Sequence, residues 1–132
     1  MLNEINEYLS GDMSEDYWYD DALFICEDIL KGFSESEWEE LLKVIPNENI
    51  RWKVRLAECM GNVGSLYEIQ CILKMIDTDD EGLFVACVDT LRSMDMSSID
   101  VTAKDEIQAQ IKSQMETSSP PVVKVFQEFL KK

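Results

Sequence analysis

The chain has 132 residues, 45% of them hydrophobic, with only 5 Gly and 3 Pro, a balance that favours one globular domain over a disordered segment. Its 27 Asp and Glu stand against 12 Lys and Arg and no His, a formal net charge of -15. Such a field repels phosphate backbones, so the expected partner is a basic protein, not nucleic acid or a membrane surface.

The charge is lopsided. Residues 1–50 carry 14 acids against 2 bases, and residues 51–132 carry 13 acids against 10 bases. The missing histidine removes the commonest general base, the Ser-His and Cys-His nucleophile pairs and most transition-metal sites. No glycine-rich phosphate loop is present, and Lys31, Lys43 and Lys53 fall on polar helix stripes. The expectation is a non-enzymatic protein with no catalytic residue, no metal ligand and no cofactor. An Asp/Glu-dependent hydrolase is the enzymatic alternative. The opening MLNEINEYL lacks a basic leader region, and no window approaches the roughly 20 apolar residues of a membrane span, so a cytoplasmic location is expected. Cys26, Cys59, Cys71 and Cys87 lie inside apolar patterns with no C-x-x-C spacing and read as reduced core residues.

The periodicity is helical throughout. A first helix is expected over residues 2–9. A second, over about residues 15–31, places Trp18, Ala22, Ile25, Cys26 and Ile29 on one face. A third, over about residues 35–45, buries Trp38, Leu41, Leu42 and Ile45, with a Ser34/Glu37 capping box at its start and Pro46 at its end. The fourth, over about residues 48–63, is apolar except for a stripe of Arg51, Arg55 and Glu58, the pattern of a central helix. Gly61 and Gly64 loosen the next turn, Ser65 with Glu68 caps a helix with the stripe Leu66, Ile69, Ile72, Leu73 and Ile76, and Leu83, Phe84, Cys87, Val88, Leu91 and Met94 form the next. Ile107, Ile111 and Met115 mark another helix. Residues 118–121 break the chain before a terminal helix with Val122, Val123, Phe126, Phe129 and Leu130.

The central helices repeat. A shift of 31 residues lays Trp38, Leu41, Leu42 and Ile45 onto Ile69, Ile72, Leu73 and Ile76, and Trp52, Val54, Ala57 and Met60 onto Leu83, Val85, Val88 and Leu91. Two helices per period indicate stacked helical hairpins. The stretch RWKVRLAECMGNVGSLYEIQCILKMIDTDDEGLFVACVDTLRSM resembles a HEAT-like array, and the resemblance covers residues 35–95. It implies an all-α fold, a short right-handed α-solenoid of about 7–8 helices forming a single domain over residues 1–132. The size, acidity and helical make-up are also similar to bacterial immunity proteins of polymorphic-toxin and contact-dependent growth inhibition systems. That resemblance implies a protein that binds and neutralises a basic toxin domain, with a nuclease the favoured class because its phosphate-holding site is basic. A HEAT-like adaptor for an unrelated partner is the alternative.

Two acidic stretches are candidates for sites. Asp77-Thr78-Asp79-Asp80-Glu81-Gly82 matches the start of a calcium loop, but the twelfth position is Val88, in the buried stripe. It therefore reads as a turn whose acids favour the following helix N-terminus, with a calcium-binding module kept as an alternative. The run SEDYWYDD opens the second helix. At about 100° per residue Trp18 faces the core, Asp16, Asp20 and Glu27 cluster within about 40° opposite it, and Asp21 with Asp28 forms a second acidic column. Tyr17 and Phe24 lie between the columns and Tyr19 near the core edge. Rings rimmed by carboxylates suit a protein-binding surface. The candidate contact residues are Asp16, Tyr17, Asp20, Asp21, Phe24, Glu27 and Asp28, joined by Glu35 and Glu39 of the third helix.

Overall fold

The computed structural model describes residues 2–95, 97 and 99–131, so both ends of the expected 1–132 domain, Met1 and Lys132, lie outside the described residues. The described residues form helices and no strand. Helix α1 spans Leu2–Ser10. Helix α2 runs in three consecutive stretches, Glu15–Tyr17, a π-helical segment Trp18–Ala22, and Leu23–Lys31. Helix α3 (Glu35–Val44) continues into a 3-10 turn, Ile45–Asn47. The remaining helices are α4 (Ile50–Glu58), α5 (Tyr67–Ile76), α6 (Glu81–Arg92), α7 (Val101–Met115) and α8 (Pro120–Leu130).

The repeat extends from the core positions to the caps. Ser34 Oγ accepts from the Glu37 backbone N–H while the Glu37 carboxylate accepts from the Ser34 N–H. One period later only half of the box is kept: the Ser65 N–H donates to Glu68 at 3.2 Å, but the N-cap of α5 is Leu66 and has no side-chain cap hydrogen bond, so the expected Ser65/Glu68 cap does not form. Asn49 Oδ1 accepts from the Trp52 N–H at 2.9 Å and starts α4, and Asp80 Oδ1 accepts from the Leu83 N–H at 2.8 Å and starts α6. Each cap satisfies donors that a helix start leaves orphaned. Burial follows the same shift: Leu41 and Ile72, Ile45 and Ile76, Trp52 and Leu83, Ala57 and Val88, and Met60 and Leu91 are all buried.

Helix α6 is the central element. It packs on α4, α5 and α8, and Leu83, Phe84, Cys87, Val88 and Leu91 are almost completely buried. Thr90 Oγ1 donates to the Ala57 carbonyl at 2.8 Å, tying α6 to α4, and Phe84 meets Phe126 of α8 at 5.9 Å between ring centroids. Elsewhere α1 packs on α2, α3 and α4, α3 on α5, and α7 on α8. Trp38 stacks on Tyr67 at 5.8 Å and takes the edge of Phe33 at 5.3 Å, joining α3 to α5. All four cysteines are free and buried, and burial pushes the Cys71 and Cys87 thiols up to about 12.

The structure differs from the periodicity in three places. Helix α4 ends at Glu58 and not near residue 63, because residues 59–64 turn with Gly61 at φ 108° and Gly64 at φ 83°, a region glycine enters without Cβ strain. The buried face of α5 is Cys71, Ile72, Met75 and Ile76, while Leu66 precedes the helix and is exposed. Leu73, expected in the buried stripe of this helix, packs half-buried against the core. Finally, the polar stripe of α4 does not face water at Arg55, which is buried.

Glu68 closes the glycine turn. Its carboxylate accepts from the backbone N–H groups of Gly61, Gly64 and Ser65, and the residue is 4% exposed. Removing it leaves three backbone donors without a partner, so Glu68→Ala should cost about 2–3 kcal/mol in urea denaturation. The period-related Glu37→Ala should cost clearly less, since its hydrogen bonds to Ser34 are exposed to water. Equal losses would show that Glu68 is only a cap and not the organiser of the turn.

Candidate functional site

The π-helical segment shapes the site. The Leu23 N–H donates to the carbonyl of Trp18, five residues back, so one extra residue is held in the turn. Adjacent residues on a regular helix diverge by about 100°. Here Trp18 and Tyr19 both reach the same carboxylate on α4: Trp18 Nε1 donates to Glu58 at 3.2 Å and the Tyr19 hydroxyl donates at 2.6 Å. Trp18 is buried, and the Arg55 guanidinium lies over its ring at 5.1 Å.

Beyond that turn, α2 carries the acidic surface. Asp16, Tyr17, Asp20, Asp21, Phe24 and Asp28 are exposed, Tyr17 at 43% and Phe24 at 56%. The rings therefore do not pack beneath α1. Glu27 corrects the expectation: it is 8% exposed and accepts from Asn62 Nδ2 at 3.4 Å, so it does not belong to the acidic face. Its buried companions on α2 are Cys26 and Leu30, while Ile25 turns outward, because the π-turn rotates everything after Trp18. Glu35 and Glu39 are exposed on α3, and together with burial they push the Tyr67 hydroxyl above its usual value. They sit beside Tyr67, one helix along from the α2 acids.

A groove of about 740 Å³ runs along the even-numbered helices. Its wall includes Tyr19 and Leu23 from α2, Val54 and Glu58 from α4, and Val85 and Asp89 from α6. Val125 of α8 also lines it. A smaller hollow shares Tyr19, Val54 and Glu58 and continues toward Glu15 and Arg51. Desolvation pushes the Glu58 carboxyl above its usual value, against the opposing hydrogen bonds from Tyr19 and Trp18 and the nearby Arg55. The same hydrogen bond, reinforced by burial, holds the Tyr19 hydroxyl up at about 12, so it acts as a donor at any physiological pH.

The cations around the groove already have acceptors, and one of them, Arg92, lines the groove itself. Arg55 donates to the carbonyls of Tyr8, Leu9 and Gly11, and Arg51 to those of Ser10 and Gly11. Arg92 pairs with Asp89 and Glu128. Among the described residues no group of three or more His, Cys, Asp or Glu is set to hold a metal ion, and no helix is long and apolar enough to cross a membrane. In the acidic turn after α5, Asp80 is the helix cap and its own N–H donates to Thr78 Oγ1.

Sequence reasoning did not single out Tyr19, Glu58, Asp89 or Arg92. A signal for two of them was present. The 31-residue shift that aligns Val54 with Val85 also aligns Glu58 with Asp89, an aliphatic residue followed four positions later by an acid. The same step backward reaches Leu23 and Glu27. No protein-family model, curated protein or solved structure matches the chain.

Glu58 gives the stability a pH signature. A carboxyl raised in the folded state binds protons more readily there than in the unfolded chain, so it favours the fold at low pH and costs stability as pH rises through its raised value. Glu58→Gln removes the charge and keeps one acceptor, for Trp18 Nε1, while its amide N–H can donate to the Tyr19 hydroxyl oxygen. It should melt above the parent at about pH 8, with the gap closing toward about pH 4, near the ordinary carboxylate value. A variant less stable than the parent at both pH values would mean that the ionised carboxylate supports the fold.

Proposed function

We propose that the chain is a non-enzymatic module that binds a basic protein, and in its most specific form an immunity protein that neutralises a basic toxin domain such as a nuclease. The observation that carries this reading is the pair of exposed rings, Tyr17 and Phe24, set among the exposed carboxylates of Asp16, Asp20, Asp21 and Asp28. Rings supply desolvated contact area, and carboxylates supply steering and paired contacts to Lys and Arg. A nuclease must hold phosphates in a basic site, which an acidic surface can occupy in place of substrate. In this reading α2, α4, α6 and α8 form the inner row of a short right-handed HEAT-like α-solenoid, located in the cytoplasm. Contacts of α4 with α6 and of α6 with α8 support such a row. An adaptor that holds an unrelated basic protein would use the same surface.

The test is kinetic. Against a panel of basic nucleases, association should slow steeply as salt rises while dissociation changes little. The triple variant Asp16→Lys, Asp20→Lys, Asp21→Lys should reduce the association rate by at least about tenfold at low salt with an unchanged melting curve, since exposed single charges contribute little to stability. Tyr17→Ala or Phe24→Ala should act instead on the dissociation rate. Association that ignores both salt and the charge reversal would reduce the acidic face to a solubilising one.

A further inference from the structure

The groove on the inner helices is distinct from the acidic face of α2, and its composition is specific. Val54 and Val85, on successive inner helices, stand one repeat apart, and each is followed four residues later by an acid, Glu58 and Asp89. Four residues on a helix return to the same side, so each helix presents an aliphatic residue and a carboxylate on one line. Both oxygens of Glu58 accept hydrogen bonds from neutral donors, and among the described residues it makes no direct ion pair. Asp89 meets Arg92 through Oδ1, and Glu128 meets the same guanidinium. Arg92, itself on the groove wall, thus divides its guanidinium between Asp89 and Glu128, which leaves the acids beside the groove only partly neutralised.

A long basic side chain matches this pattern. Its methylene stem packs on aliphatic surface while its head stays polar, which is the order of groups along each helix. We propose that the groove receives two basic side chains from one helix of a protein partner, one headed by Glu58 and the other by Asp89, their stems lying along Val54 and Val85. This rests on the reading of the chain as a binder of basic proteins and names where and how recognition occurs. Packed helix axes lie about 8–10 Å apart, which sets the spacing between the two acids. Residues i and i+7 of a helix share a side and stand about 10.5 Å apart, so lysines or arginines seven apart fit that spacing. A second copy of this chain is a poor occupant, because each copy carries a net charge of -15.

The probe is a stapled, alanine-rich helical peptide with lysines at i and i+7, compared with the same peptide carrying one lysine and with spermine. Binding is followed by methyl chemical shifts of Leu23, Val54, Val85 and Val125 at low salt. The two-lysine peptide should shift these methyls and bind about tenfold more tightly than the single-lysine one. Glu58→Gln and Asp89→Asn should each weaken it by about tenfold. Ala86→Phe, which fills the groove without changing charge, should abolish the methyl shifts. Circular dichroism on each variant establishes that it is folded. If the peptide binds but perturbs only Tyr17, Phe24 and their neighbours, and ignores Glu58→Gln and Asp89→Asn, the groove is not the site and the general reading survives. Absence of binding by the peptide, alongside salt-dependent binding of a basic nuclease, overturns the groove in the same way. Absence of both overturns the general reading as well. Equal shifts and affinity with spermine would make the occupant a free polyamine and overturn the protein segment.

Discussion

Arg55 is the residue on which the N-terminal part of the molecule hangs. The last turn of α1 ends in carbonyls with no helical partner, and the Arg55 guanidinium takes those of Tyr8 and Leu9 together with Gly11, each at about 3 Å. Arg51, one turn earlier on α4, takes Ser10 and Gly11. The same guanidinium covers the Trp18 ring, and Trp18 in turn donates to Glu58. One side chain from the centre of α4 therefore fixes α1 and α2 together. Burying such a charge costs several kcal/mol in desolvation, and charge-assisted hydrogen bonds at about 1.5–3 kcal/mol each offset it only when several form at once. All three carbonyl contacts come from the single nitrogen Nη1, which leaves the plane of the guanidinium free to lie over the Trp18 ring, a contact for which a lysine ammonium has no planar group.

That constraint also sets the electrostatics of the groove. Because Arg55 is spent on carbonyls, it does not form an ion pair with Glu58, three residues on. Glu58 is left desolvated, held by an indole N–H and a phenol, with its carboxyl raised. A carboxylate arranged in this way works against the fold at neutral pH and gains from an incoming cation. The exposed acids of α2 differ in kind: water screens them, they matter little to stability, and they act at a distance. In the proposed reading, steering and recognition fall to different carboxylates on neighbouring elements.

Much of the architecture was legible in the residues. The stripe Leu83, Phe84, Cys87, Val88 and Leu91, the Ser34/Glu37 box and the turns at Asn49 and Asp80 follow from local rules, and the structure has them in place. Of the expected contact residues, eight stand exposed and Glu27 does not, because a wheel of 100° per residue fails once Trp18–Ala22 holds an extra residue. No residue in WYDDA announces a π-turn; in the structure it accompanies the tertiary hydrogen bonds that Trp18 and Tyr19 donate to Glu58. Arg55 was hidden for a related reason. A basic residue on an otherwise apolar helix reads as solvent-facing unless the ends of another helix are known to lie beside it.

The most direct measurement is hydrogen–deuterium exchange of the chain alone and in the presence of a basic nuclease that binds it in the kinetic panel. A binder of the kind described here should slow exchange across residues 15–31, 50–58 and 81–92, which carry the acidic face and both walls of the groove, and leave α5 and α7 unchanged. Protection confined to α5 and α7, with α2, α4 and α6 exchanging as in the free protein, would contradict it.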